Sequence, residues 1–105
     1  MAAAEVNAII KAYKVVVFSK STCPYCAKAK AAFERVGVKP HVLELDLAHA
    51  DGGAAFQQAF ISLTGKHSVP RVFIGGVFLG GGDDTVAAEQ SGKLVALLKD
   101  AGALA

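Results

Sequence analysis

An α/β fold, with one four-stranded mixed sheet flanked by about five helices, is predicted by three features of this 105-residue chain. An apolar β-branched run, Val15-Val16-Val17-Phe18, and an alternating stretch from His41 to Asp46 are separated by a helical pattern, as a parallel crossover requires. Arg71-Val72-Phe73-Ile74 and Val77-Phe78-Leu79 flank Gly75-Gly76 as two hairpin arms flank a two-residue turn. Hydrophobic residues make up 53% of the chain and charged residues 19%, enough apolar material for a core and too little charge for disorder. The length fits one domain spanning residues 1–105.

Each element has its own signal. Val6, Ile9, Ile10 and Tyr13 recur at helical spacing and give a first amphipathic helix. The Val15 run follows as a strand buried on both faces, and residues 19–22 form a loop. The second helix puts Cys26, Ala29, Phe33 and Val36 on one stripe, turns Lys28, Lys30, Glu34 and Arg35 away from it, and stops at Gly37. In the second strand Val42, Leu43 and Leu45 are apolar. Asp51 suits the cap of a third helix that carries Phe56, Phe60 and Leu63 and ends at Gly65. After the hairpin and Gly80-Gly81-Gly82, Asp83 suits the cap of a short helix through Glu89. Gly92 breaks it, and Leu94, Leu97, Leu98 and Ala101 form a last amphipathic helix.

Several functions are excluded at this level. Eleven Lys and Arg against nine Asp and Glu leave a net charge of +2, too small an excess to argue for nucleic acid. No apolar run approaches the roughly 20 residues of a membrane span, so no membrane partner is expected. Met1-Ala2-Ala3-Ala4 has neither the charged and apolar regions of a secretory signal nor an Arg- and Ser-rich character, and a cytoplasmic protein is expected.

The chain has two cysteines, Cys23 and Cys26. Cysteines three positions apart close almost no loop, so their purpose is chemical rather than structural. Zinc would need two further ligands; His41, His49 and His67 are scattered and no second Cys pair exists, so no metal is expected. Cys23-Pro24-Tyr25-Cys26 falls between a buried strand and a helix. Pro24 suits the first helical position, where its missing N–H would be unpaired anyway. Cys23 then becomes the N-cap, facing the free N–H groups of Tyr25 and Cys26 at the positive end of the helix dipole. Lys20, Lys28, Lys30 and Arg35 gather basic charge around the motif. A free thiol has a pKa of roughly 8.5, and helix N-termini and Cys-X-X-Cys motifs lower it to about 3.5–7.5, so Cys23 is expected to be the nucleophile. Cys26, one turn into the helix and facing the core, is expected to keep its proton longer and to act as the resolving thiol.

Phe18-Ser19-Lys20, Cys23-Pro24-Tyr25-Cys26, Thr64-Gly65, the run from Ser68 to Gly76 and Gly80-Gly81-Gly82-Asp83-Asp84 occur in an order and spacing that resembles the glutaredoxins, in particular their dithiol, plant- and algal-like class. The resemblance covers nearly the whole chain. It implies a thioredoxin fold, a cis Val69–Pro70 bond and glutathione as co-substrate. It also implies a glutathione groove formed by Lys20, Tyr25, Gln57, Val69, Pro70, Gly82, Asp83 and Asp84. In that groove Lys20 and Gln57 would take the glycine carboxylate. The Val69 backbone would pair with the cysteinyl unit as a strand edge does. The start of the helix at Gly82 and Asp83 would take the γ-glutamyl carboxylate, and Asp83 or Asp84 the α-amine. The chain departs from the family pattern at His67, where many relatives carry Arg or Lys, at Ser68 in place of Thr, and at Gly82, where many plant relatives carry Cys.

The function implied is glutathione-dependent reduction of protein–glutathione mixed disulfides and protein disulfides. The expected partners are glutathione and glutathionylated or disulfide-bonded proteins, and the chain is expected to be a monomer. Three alternatives stand beside it, of which a binding-only thioredoxin-fold module without turnover is disfavoured by the intact Cys pair. An iron–sulfur scaffold would bridge a cluster through Cys23 and glutathione, and Pro24 disfavours it within the family. A thioredoxin-like reductase would draw electrons from a flavoprotein, but its motif typically has Gly-Pro between the cysteines and a Trp before them, and this chain has no Trp.

Overall fold

The computed structural model describes residues 2–105. Its elements run α1 (Ala2–Ala12), β1 (Val15–Ser19), α2 (Pro24–Arg35), β2 (His41–Glu44), α3 (Leu45–Ala48), α4 (Ala54–Thr64), β3 (Arg71–Ile74), β4 (Val77–Gly80), α5 (Gly82–Ser91) and α6 (Lys93–Asp100). One sheet has the order β2-β1-β3-β4. β1 pairs parallel with β2 and antiparallel with β3, and β3 pairs antiparallel with β4. This is the mixed four-stranded sheet of a thioredoxin fold.

Alternation along the two central strands divides the core into two layers. Val15 and Val17 of β1, with Val72 and Ile74 of β3, face Ala29, Ala32 and Phe33 of α2, Ala88 of α5, and Leu94 and Leu98 of α6. Val16, Phe18 and Phe73 point the other way, against Val6 and Ile10 of α1 and Phe56, Ala59 and Phe60 of α4. Every residue of β1 is buried, as its unbroken apolar run requires. Phe18 is the hub of the second layer, with ring centroids 5.0 Å from Phe60, 5.8 Å from Phe73 and 6.1 Å from Phe56. On the opposite face Arg35 forms a bidentate pair with Glu89, at 2.6 and 2.8 Å, and so ties α2 to α5.

The hairpin turn at Gly75-Gly76 has φ of 61° and 81°. Both values lie in the left-handed region that a type I′ turn demands, which is why two glycines stand there.

The structure corrects several boundaries. Among the described residues there are six helices, the additional one being α3, which replaces the end of the predicted second strand. Leu45 leaves the sheet and becomes fully buried against α4, and Asp46 lies on the new helix. Ser19 belongs to β1 rather than to the loop. Tyr13 lies just beyond α1, 46% exposed, with its ring stacked on His41 at 3.7 Å instead of in the core. Asp51 does accept from backbone N–H groups, those of Gly53 and Ala55, though α4 itself begins at Ala54. The start of α5 also moves, to Gly82 and not after Asp83.

Candidate active site

The cysteine motif opens α2 with Cys23 as N-cap and Pro24 in the first turn. Cys23 has extended backbone angles, φ −92° and ψ 115°, so its side chain turns back over the helix end. The Cys26 N–H donates to the Cys23 sulfur at 3.2 Å. The Tyr25 N–H, the other predicted donor, makes no such bond. Across the opening the Cys23 thiol stands 3.8 Å from the Val69 carbonyl, and the Val69–Pro70 bond is cis. Cys23 is partly exposed and Cys26 fully buried. One sulfur therefore meets solvent at a helix N-terminus while the other lies beneath it.

Burial, first, and the hydrogen bond to Cys23, second, push the Cys26 thiol from about 9 up to about 11, while contacts with the Lys20 backbone and the Ser19 hydroxyl pull it partly back. The folded state thus keeps the Cys26 proton after the unfolded chain has lost it. The resulting stability is complete below pH 9 and is lost as pH rises from about 9 to about 11. Urea unfolding of the reduced protein should show this loss, about 2 kcal/mol across the window. Cys26→Ser should lack it, and parallel pH profiles for the two proteins would refute the assignment.

A groove of about 340 Å³ runs from the motif, lined by Tyr25, Ser68, Val69, Pro70, Arg71, Gly81, Gly82, Asp83 and Asp84. Two elements make it. The edge beside the cis proline supplies Ser68, Val69 and Pro70. The first turn of α5 supplies Gly82, Asp83 and Asp84. Gly82 lets these approach: a Cβ built on it would stand 2.5 Å from the Tyr25 carbonyl oxygen, so the start of α5 rests directly on the motif. Asp84 caps its own helix, accepting from the Gly81 N–H at 2.9 Å. Among the described residues the N–H groups of Gly82 and Asp83 have no acceptor, as expected of a helix's first turn. Asp83 is not the cap; its carboxylate lies in solvent, 3.8 Å from Lys28 Nζ, which also sits 4.8 Å above the Tyr25 ring. Another depression, about 470 Å³ along α2 and α5, touches neither cysteine.

Of the predicted site residues, the groove brings together Tyr25, Val69, Pro70, Gly82, Asp83 and Asp84, with Cys23 at its end. Lys20 and Gln57 lie outside that lining. The Lys20 carbonyl accepts the Cys23 N–H at 3.1 Å, so Lys20 shapes the turn into the motif. The Gln57 amide donates to the His67 carbonyl at 3.1 Å and braces the segment before the cis proline. The basic surround is also thinner than the sequence suggests. Lys28, Lys30 and Arg35 face Asp83, Glu44 and Glu89, and Lys20 alone of the four has no carboxylate within 4.0 Å among the described residues.

Two contributors escaped the sequence reading. Asp46 accepts from the Ser21 N–H at 3.0 Å and the Ser21 hydroxyl at 2.5 Å, pinning the turn that leads to Cys23. These bonds hold its carboxyl below the usual range. Arg71, which reads as a strand residue, lies buried under the groove, 6% exposed. A charged residue opening an otherwise apolar strand was the one available hint.

Comparison with known proteins agrees with this geometry. The glutaredoxin family model matches residues 15–79. Glutaredoxin-C8 of Oryza sativa subsp. japonica is 48% identical over 89% of this chain and 68% of its own. The crystal structure of oxidized glutaredoxin 2 from Chlamydomonas reinhardtii superposes with a TM-score of 0.92 at 50% identity, covering 98% of this chain and 95% of that one. The crystal structure of a buckwheat glutaredoxin–glutathione complex gives a TM-score of 0.92 at 39% identity, over 100% of this chain and 94% of that one.

Proposed function

Because this chain belongs to the glutaredoxin family and is a glutathione-dependent thiol–disulfide oxidoreductase, we propose that Cys23 is its attacking sulfur, Cys26 its resolving thiol and the groove beside them its glutathione site. The observation that carries this reading is the arrangement at Cys23. A partly exposed sulfur accepts a helix N–H and faces the backbone edge at Val69, at the end of a groove that leads to the first turn of α5.

Cys23, as thiolate, attacks the glutathionyl sulfur of a protein–glutathione mixed disulfide. A new Cys23–glutathione disulfide forms as the old S–S bond breaks, and the protein thiolate leaves with the electron pair. The thiolate of a second glutathione then attacks the glutathionyl sulfur, releasing oxidised glutathione and restoring the Cys23 thiolate. The negative charge that develops on Cys23 as leaving group meets the Cys26 N–H and the helix dipole. Val69, with Pro70 beside it, pairs with the cysteinyl backbone of glutathione and orients its sulfur toward Cys23. The free N–H groups of Gly82 and Asp83 take the γ-glutamyl carboxylate. Tyr25 walls the mixed disulfide, the Asp83 carboxylate takes the α-amine, and Lys20 reaches the glycine carboxylate from outside the groove. Gln57 serves that end indirectly, through the segment it braces.

Protein disulfides use the second cysteine. Cys23 attacks one sulfur of the substrate disulfide and frees the other as a thiolate. Cys26 then attacks Cys23 of the mixed disulfide, the second substrate thiolate leaves as the Cys23–Cys26 bond closes, and two glutathiones reduce that bond with release of oxidised glutathione. The raised pKa of Cys26 restrains this step while Cys23 is free. Once Cys23 is in a disulfide its smaller contribution to that rise is lifted, while the main one, burial, remains.

The direct test is turnover of a glutathione–small-thiol mixed disulfide with glutathione as the only reductant. We expect catalysis well above the uncatalysed exchange. A reaction that requires a flavoprotein reductase would refute glutathione as the electron donor.

A further inference from the structure

Arg71 is a buried cation with no paired anion among the described residues. Its Nε donates to the Pro70 carbonyl at 3.2 Å, Nη1 to the Thr64 hydroxyl at 3.3 Å and Nη2 to the Ser68 hydroxyl at 3.2 Å. Its guanidinium carbon lies 5.0 Å from the centre of the Phe78 ring. Among the described residues no carboxylate comes within 4.0 Å of its nitrogens. The nearest influence of that kind is Asp84, whose carboxylate is already engaged by the Gly81 N–H. Burial outweighs the attraction of Asp84 and pushes the guanidinium below its usual value, although it stays charged at any physiological pH.

A buried charge held only by neutral dipoles is costly, since its lost hydration is not repaid by an opposite charge. Hydroxyls and a carbonyl could be held equally well by a neutral side chain. The position of Arg71 gives the charge a use. It lines the groove and lies under the end where α5 begins, with Nη2 3.7 Å from where a Cβ on Gly81 would stand. Among the described residues the N–H groups of Gly82 and Asp83 have no acceptor there, so backbone donors and a cation line one groove from two elements.

We propose that Arg71 is the counter-charge of this groove, selecting a ligand whose end group at α5 is a carboxylate over one whose end group is neutral. The inference rests on the glutathione reading above and names the part of glutathione involved, the α-carboxylate of its γ-glutamyl unit. Arg71 does so from below, while its fork of donors holds Thr64, Ser68 and Pro70 in place. It does not act on the sulfur chemistry.

The test compares two mixed disulfides with the same small-thiol leaving group. One carries glutathione and the other 4-aminobutanoyl-cysteinyl-glycine, which keeps the amine but lacks the α-carboxylate. Wild type should prefer the glutathione substrate by about tenfold or more in kcat/KM, mostly through KM. Arg71→Met should shrink that preference to about twofold, by weakening the glutathione substrate several-fold more than the analogue, whatever loss of the donor fork costs both. Arg71→Lys keeps the charge but not the fork, and should retain most of the preference even where its overall activity falls. Equal losses on both substrates in both variants would reduce Arg71 to a scaffold clamp and overturn the proposal. So would a wild-type preference under twofold, a result that needs no variant to fold. Failure of wild type to turn over either substrate would instead overturn the glutathione reading itself.

Discussion

Cys23→Ser should abolish turnover of a glutathione mixed disulfide, a loss of about a thousandfold or more, because a serine hydroxyl at that N-cap is neither ionised nor able to form the covalent intermediate. Cys26→Ser should behave differently. The route through the Cys23–glutathione disulfide never uses the buried sulfur, and activity on the small mixed disulfide should stay within about threefold of wild type. Reduction of a protein disulfide should fall much further in Cys26→Ser, because Cys26 can no longer release a protein trapped on Cys23. The assay is glutathione-coupled turnover on both substrate types for the three proteins. Comparable losses in the two variants on the small substrate would eliminate the one-cysteine route. The asymmetry follows from exposure and charge together: Cys23 is partly exposed and takes a helix N–H, whereas Cys26 is sealed beneath it with its pKa raised to about 11.

The largest effect on stability is expected from Phe18→Ala. Phe18 is fully buried and central to the aromatic cluster with Phe56, Phe60 and Phe73. Removing its ring leaves a cavity that three other rings, fixed on α4 and β3, cannot close. Substitutions of this kind cost about 3–5 kcal/mol, a large part of the roughly 5–15 kcal/mol that holds a small domain together. For a domain of this size that means a fall in Tm of about 15 °C or more. Thermal unfolding of the reduced protein measures it, and a fall below about 5 °C would show that the cluster repacks. The consequence reaches the site as well, since β1 runs from Phe18 through Ser19 into the turn that positions Cys23.

Legibility of the fold followed the distance over which each feature is determined. The β1 run, the α2 stripe, the Gly75-Gly76 turn and the breaks at Gly37, Gly65 and Gly92 depend on residues within a turn or two, and all lie where periodicity and glycine placed them. The second strand ends two residues before its alternating pattern does, since Leu45 suits either an apolar strand or a buried helix start. The start of α5 is ambiguous in the sequence because Asp83 and Asp84 are both reasonable caps by residue type. The carboxylate that accepts the Gly81 N–H is Asp84, from within the first turn.

By itself, the sequence determined that a cysteine would sit at the start of a helix between buried strands, with a second cysteine one turn in, because both follow from local spacing and the preferences of Pro and Gly. Only the tertiary structure decided that Asp46 grips the turn at Ser21, that Lys28, Lys30 and Arg35 are engaged by carboxylates, and that Arg71 lies buried without one. Those outcomes join residues up to 55 positions apart, as Lys28 and Asp83 are. Contacts over such distances leave no period in the chain, and the charge a groove presents depends on which pairs happen to meet.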